Sequence, residues 1–227
     1  MSRNLKSAQA LTVVVAALMA VASAAGLLMP GLYREPLAAE TVLRAYDLVN
    51  LVIAAPALLF ASIFERRGGH RAQLAWAGTL AYVVYAYAFY VFGTAFNDAF
   101  LLHVAVFSSS LYALVLTLAN TNVAGIAASF QPRTPVRTVS ILLLLLALPI
   151  GAFWVFSSLR LTLTGQLPAD TLLVQSLDSV HLSYVLDLAL LVPAYVLAAV
   201  LLWRRAAWGY TAAAVLLISG LVHQLST

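Results

Sequence analysis

Long apolar runs, separated by short gaps that hold nearly every charge, make up almost all of this 227-residue chain. A helix crosses a hydrocarbon core of roughly 30 Å in about 20 residues. On that measure the pattern predicts spans over residues 8–29, 41–64, 73–92, 100–120, 139–159, 179–203 and 207–225. In lipid every backbone polar group must be satisfied within the structure, which leaves helices or a closed barrel. Barrel strands alternate polar and apolar residues with a period of two. The run from Ile141 to Ile150 is apolar on both parities, so the spans are read as helices. The expected fold is an all-α integral membrane protein, a single seven-transmembrane-helix bundle over residues 1–227.

The charges orient that bundle. Arg3, Lys6, Arg66, Arg67, Arg71, Arg133, Arg137, Arg204 and Arg205 fall in gaps on one side, whereas the other side holds only Arg34, Arg44 and Arg160. Basic residues concentrate on the cytoplasmic side of a membrane protein. The N-terminus is therefore expected in the cytoplasm and the C-terminus outside. The first span also has the parts of a signal peptide: a basic start, an apolar stretch and the small residues Ala22-Ser23-Ala24. Its apolar character continues to Leu32, which favours an uncleaved anchor.

Composition agrees with lipid as the solvent. Hydrophobic residues form 63% and charged residues 9% of the chain, against roughly 45–50% and 25% in soluble domains. The net charge of +4 is carried by short clusters at span ends, so no nucleic-acid partner is expected. The chain has no cysteine, which excludes disulfides and thiolate metal sites. Eleven arginines against one lysine, in an Ala/Leu/Val-rich chain, resemble a GC-rich bacterial coding bias and suggest a bacterial cytoplasmic membrane.

A weak internal repeat runs through the pattern. Asp47-Leu48, Pro56-Ala57, Arg66-Arg67 and Trp76 are echoed by Asp187-Leu188, Pro193-Ala194, Arg204-Arg205 and Trp208. Upstream, Pro36 and Glu40-Thr41 are matched by Pro168 and Asp170-Thr171. This arrangement is a parallel 3+1+3 repeat with the fourth span as connector, one of the symmetries transporters use. It makes Asp47 and Asp187 equivalent positions.

Acids within a span are costly and tend to face the bundle interior. Asp47 and Asp187 are therefore the first candidates for substrate or proton binding, with Asn50, Tyr184, Tyr82 and Tyr85 lining the site. Two nearby acids in low dielectric would share a proton. The alternative is structural, with each Asp satisfied by a neighbouring Tyr, Asn or Arg44. His103, His181 and His223 fall in the outer third of their spans and, with Asp47 or Asp178, form a candidate zinc site. Asp178 is otherwise expected to cap a helix N-terminus.

Other classes fail on the residues. A retinal Schiff base needs a lysine in a late span, and the one lysine is Lys6. There is no Gly-Lys-Ser/Thr phosphate loop, no His-Glu-x-x-His and no Gly-x-Ser-x-Gly. The leading expectation is a small-solute or proton-coupled transporter whose polar site lies in the outer half of the bundle. A metal-dependent intramembrane enzyme and a non-catalytic accessory or sensor subunit are the alternatives. The expected partners are the lipid bilayer and a small molecule or ion.

Overall fold

The computed structural model describes residues 3–66, 68–165 and 182–226. Among these residues the chain is helical, with no strand. Helix α1 spans Arg3–Leu28, α2 Leu37–Glu65, α3 His70–Phe92, α4 Phe100–Ala119, α5 Val123–Ser129, α6 Val136–Thr164, α7 Leu182–Trp203 and α8 Ala207–Gln224. Six of them (α1 to α4, α6 and α7) are long and apolar enough to cross a membrane. That is consistent with a multi-pass integral membrane protein. Helix α8, expected as the seventh span, has 18 residues and is not among the six. Its ends carry Trp208, Tyr210, His223 and Gln224, which dilute its apolar character.

Contacts divide the chain into two compact units, one of residues 1–122 with 214–227 and the other of residues 123–213. In the first unit α1 packs on α2 and α4, and α3 packs on α2 and α4. The sequence pattern accounts for this order. Ala8, Thr12, Val15, Met19, Ala22 and Ser23 recur at helical spacing on α1 and are fully buried, which gives the helix a face of mostly small side chains. On α4 the buried positions are His103, Val106, Ser110, Ala113 and Thr117, again three or four apart. The fourth span, expected as a connector, is thus an integral wall of the first unit. Helix α3 is its most enclosed element: Trp76, Leu80, Tyr82, Val83 and Tyr87 are all at 0% exposure. Trp76 donates its Nε1 hydrogen to Thr12 Oγ1 at 2.9 Å, joining α3 to α1. At the Glu65 end of α2, Gln9 donates to the Glu65 carboxylate at 2.9 Å and Arg66 donates to Gln9 Oε1 at 3.0 Å.

In the second unit α6 packs along α7. Pro149 lies inside α6, which remains one helix. A tight turn joins α7 to α8. The chain leaves α7 through Arg205, a left-handed residue at φ 55°. Ala206 N–H bonds Leu201 O and Arg205 N–H bonds Leu202 O, both at 2.9 Å, and so take up carbonyls that the ending helix leaves free.

Helices α2 and α7 share a local irregularity. Each contains a five-residue π-helical turn, Asn50–Ala54 in α2 and Asp187–Leu191 in α7. Each turn ends two residues before a proline, Pro56 and Pro193. Proline has no N–H to offer the carbonyl four residues back, and its ring crowds that carbonyl. The preceding turn widens instead, with Ala55 N–H bonding Asn50 O and Val192 N–H bonding Asp187 O. The two turns offer a second alignment of these helices beside the Asp47–Asp187 echo of the sequence. Aligning the two π turns and prolines sets Asn50, not Asp47, against Asp187, and Asp47 then falls against Tyr184. Pairing the two acids had required different Asp-to-Pro spacings; the Asn50 register needs none. The upstream echo at Pro168, Asp170 and Thr171, and the capping role expected of Asp178, lie outside the described residues.

Candidate functional site

Asp47 is the centre of the first unit's polar core and is fully buried. It sits on α2 one turn before the π segment. Tyr33, from the loop between α1 and α2, donates its hydroxyl to Asp47 Oδ2 at 2.6 Å. Tyr90 of α3 donates to Oδ1 at 3.0 Å and stands 3.0 Å from Leu43 O as well. A carboxylate held by two hydroxyl donors is a charge-assisted arrangement, stronger than a neutral pair. Arg44, named from the sequence as a partner for this acid, pairs with Glu40 at 2.9 Å and reaches Leu27 O at 3.3 Å. The tyrosines fill the role instead.

The approach of Asp47 to α1 depends on Gly26. A Cβ there would run into Asp47 Oδ2 and the Tyr33 hydroxyl. Ser23, one turn earlier on the same face, lies beside Asp47 and Tyr87, with its Oγ outside hydrogen-bonding geometry. Tyr33 lies outside the spans. Burial and the neighbouring Asp47 charge push its phenol above the usual range, so it stays a proton donor to the carboxylate. Its loop is tied down from the other side, because Ala95 N–H in the α3–α4 connection donates to Glu35 Oε1 at 2.6 Å.

Around this core lie polar atoms whose capacity no described residue uses. They are the Tyr87 hydroxyl, Asn50 Nδ2 and both ring nitrogens of His103. All three side chains are at 0% exposure. His103 packs its ring on Tyr90 at 4.8 Å and on Tyr87 at 6.0 Å. Asn50 accepts the Tyr82 hydroxyl on Oδ1 at 3.0 Å, which links α2 to α3. In a membrane interior such atoms cost about 1–3 kcal/mol each if nothing pairs with them. The arrangement is a concentrated hydrogen-bonding centre of one carboxylate, tyrosine hydroxyls, an amide and an imidazole.

The remaining candidates lie elsewhere. Tyr85 faces His223 at a ring distance of 5.3 Å and Phe89 at 5.4 Å. His223 Nδ1 is 3.1 Å from the Tyr46 hydroxyl. Tyr85 therefore joins an aromatic cluster with Tyr46, Phe89 and His223. Asp187 belongs to the second unit, where Trp154 of α6 donates its Nε1 hydrogen to Oδ2 at 2.9 Å. The Trp154 ring lies 4.0 Å from that of Tyr184. Each π turn thus opens on a polar side chain that accepts from an aromatic donor on a packed helix, Tyr82 for Asn50 and Trp154 for Asp187. Trp154→Phe is expected to lower stability by about 0.5–1.5 kcal/mol, since the buried Asp187 loses the Trp154 hydrogen bond while the apolar packing is nearly kept. Thermal unfolding of the purified variant in detergent measures it.

As for zinc, no three His, Asp or Glu side chains come together among the described residues. His103 is sandwiched by tyrosines, His223 is bonded to Tyr46, and His181 lies outside the described residues.

Sequence reasoning missed Tyr33, Ser23, Gly26, Tyr87, Tyr90 and Trp154 as site residues. One signal was available: Ser23 and Gly26 continue the small-residue face of α1, a place where another side chain approaches closely. No family model matches the chain, and neither does any curated protein or solved structure.

Proposed function

We propose that this chain is a small proton-coupled transporter of a bacterial cytoplasmic membrane, with seven spans, its N-terminus in the cytoplasm and its C-terminus outside. The observation that supports it most is the fully buried Asp47 carboxylate, set among groups with unused hydrogen-bonding capacity at Asn50, Tyr87 and His103. An intramembrane acid in such company is a functional site by default, since holding it there is costly. In this reading Asp47 takes the coupling proton or the polar part of the solute. Asn50, Tyr82 and Tyr87 line the site. Tyr33, carried on a loop, closes it from the outer side. The π turn beside Asp47 offers a place where α2 can rearrange, because π turns frequently occur at functional sites. Asp187 with Tyr184 and Trp154 forms a second polar station in the other half of a parallel repeat.

A second reading is favoured by a specific observation: both Asp47 oxygens already accept protein hydroxyls. A non-catalytic accessory subunit would use the acid only to hold α1, α2 and α3 together. Proton flux into proteoliposomes separates the two, with a pH-sensitive dye entrapped and an inward gradient imposed. Transport predicts flux above that of empty vesicles, lost in Asp47→Asn and altered in Tyr33→Phe, with both variants still monodisperse. Equal behaviour of wild type, both variants and empty vesicles would sink the transport reading.

A further inference from the structure

The second unit carries four arginines at one end. Arg133 precedes α6, Arg137 lies in its first turn, and Arg204 and Arg205 form the turn between α7 and α8. All four are exposed. Among the described residues none of them pairs with an acid, the one salt bridge there being that of Arg44 with Glu40.

Two ring contacts bring these arginines together. The Arg137 guanidinium lies over the Trp203 ring, 5.7 Å from its centroid. Phe130, three residues before Arg133, packs on Tyr210 of α8 at 5.0 Å. The segment from residue 130 to 137 thereby touches both sides of the α7–α8 turn, at Trp203 just before Arg204 and Arg205 and at Tyr210 after them. Trp203 and Trp208 are half-exposed, at 48% and 46%, at the level where indoles favour a membrane–water boundary.

Two local features run against ordinary preference here. Arg137 places a cation in the first turn of a helix, whose dipole favours anions at that end. Arg205 occupies a left-handed position that glycine would fill without strain. Both become reasonable if an anion is held at this end. Lipid phosphodiesters lie at the depth of such Trp-flanked arginines, and basic sites between membrane helices take acidic headgroups. Guanidinium forks suit phosphate oxygens, and the stacked Trp203 holds one fork in place.

We propose that Arg133, Arg137, Arg204 and Arg205, with Trp203 and Trp208, form a binding site for the headgroup of an anionic phospholipid. The site is independent of the transport reading.

Native mass spectrometry of the full chain in detergent tests it, with phosphatidylglycerol against phosphatidylcholine of the same acyl chains. The wild type is expected to retain phosphatidylglycerol preferentially. Arg137→Gln and Arg205→Gly should each weaken that retention by about fivefold. Arg205→Gly relieves the left-handed backbone, so it removes the guanidinium without threatening the fold. Arg71→Gln deletes an equal charge from an exposed position of the other unit and should leave retention unchanged. The proposal is overturned if Arg71→Gln matches the site variants, which would make the effect one of diffuse charge. It is equally overturned if the two lipids are retained alike, or if inorganic phosphate displaces phosphatidylglycerol.

Discussion

Asp47→Ala is expected to lower stability by about 3–5 kcal/mol, one of the two largest losses from any single change in this chain. The truncation strands the Tyr33 hydroxyl, whose bond is to the carboxylate. Tyr90 keeps Leu43 O within reach, so the damage concentrates on the loop side. The missing carboxyl also leaves a gap between α2 and Gly26, where the packing left no room for a single added carbon. Asp47→Asn fills the same volume and keeps an acceptor oxygen, but it turns the other oxygen into a donor facing a tyrosine hydroxyl. Its loss should be less than half that of alanine. Thermal unfolding followed by size-exclusion chromatography in detergent measures both. Identical losses for Asn and Ala would mean that charge, rather than shape and acceptor geometry, holds this core. A negligible loss for Ala would mean that Tyr33 finds another partner and that the loop is not anchored through Asp47.

Gly209→Ala should be comparably severe, at about 3 kcal/mol or more, for a different reason. Its Cβ would meet the Leu202 nitrogen and the Leu201 carbonyl carbon, with Leu202 Cα 2.6 Å away. These are backbone atoms in the last turn of α7, and no rotamer change moves them. Overpacking a core with one carbon typically costs about 1–3 kcal/mol when side chains can shift; here the turn between α7 and α8 must open. Gly151→Ala is the matched control. Its Cβ would approach Val192 Cγ1 at 3.2 Å, a contact that a small helix adjustment relieves. The expected order is a clear fall in unfolding temperature for Gly209→Ala and a slight one for Gly151→Ala. Reversal of that order would mean that the turn between α7 and α8 is looser than its geometry implies.

The site shows how far linear pattern carries. Asp47 was identifiable because a carboxylate inside an apolar run must be compensated, and Asn50 because it lies a helical turn further along the same face. Tyr82 was expected to line the same site. The partners of Asp47 were not readable in the same way. Tyr33 lies fourteen residues away in a loop, and Tyr90 is 43 residues away on another helix. Their convergence depends on how α1, α2 and α3 pack. Of the histidines, His103 packs on Tyr87 and Tyr90 and His223 on Tyr46 and Tyr85, contacts that depth along a helix does not foretell.

The sequence by itself determined the environment, the helical backbone and the approximate limits of six apolar helices, because length and hydropathy act along the chain and backbone hydrogen bonds in lipid allow little else. It also held the two prolines whose missing N–H groups widen α2 and α7. Only the tertiary structure decided which polar groups meet. It gave the acid at Asp47 to Tyr33 and Tyr90 and set Tyr85 against His223. Helical periodicity states which residues share a face but not which face a neighbouring helix presents to it. That choice is made by close packing, here through small residues such as Ser23 and Gly26 that let α1 approach the carboxylate.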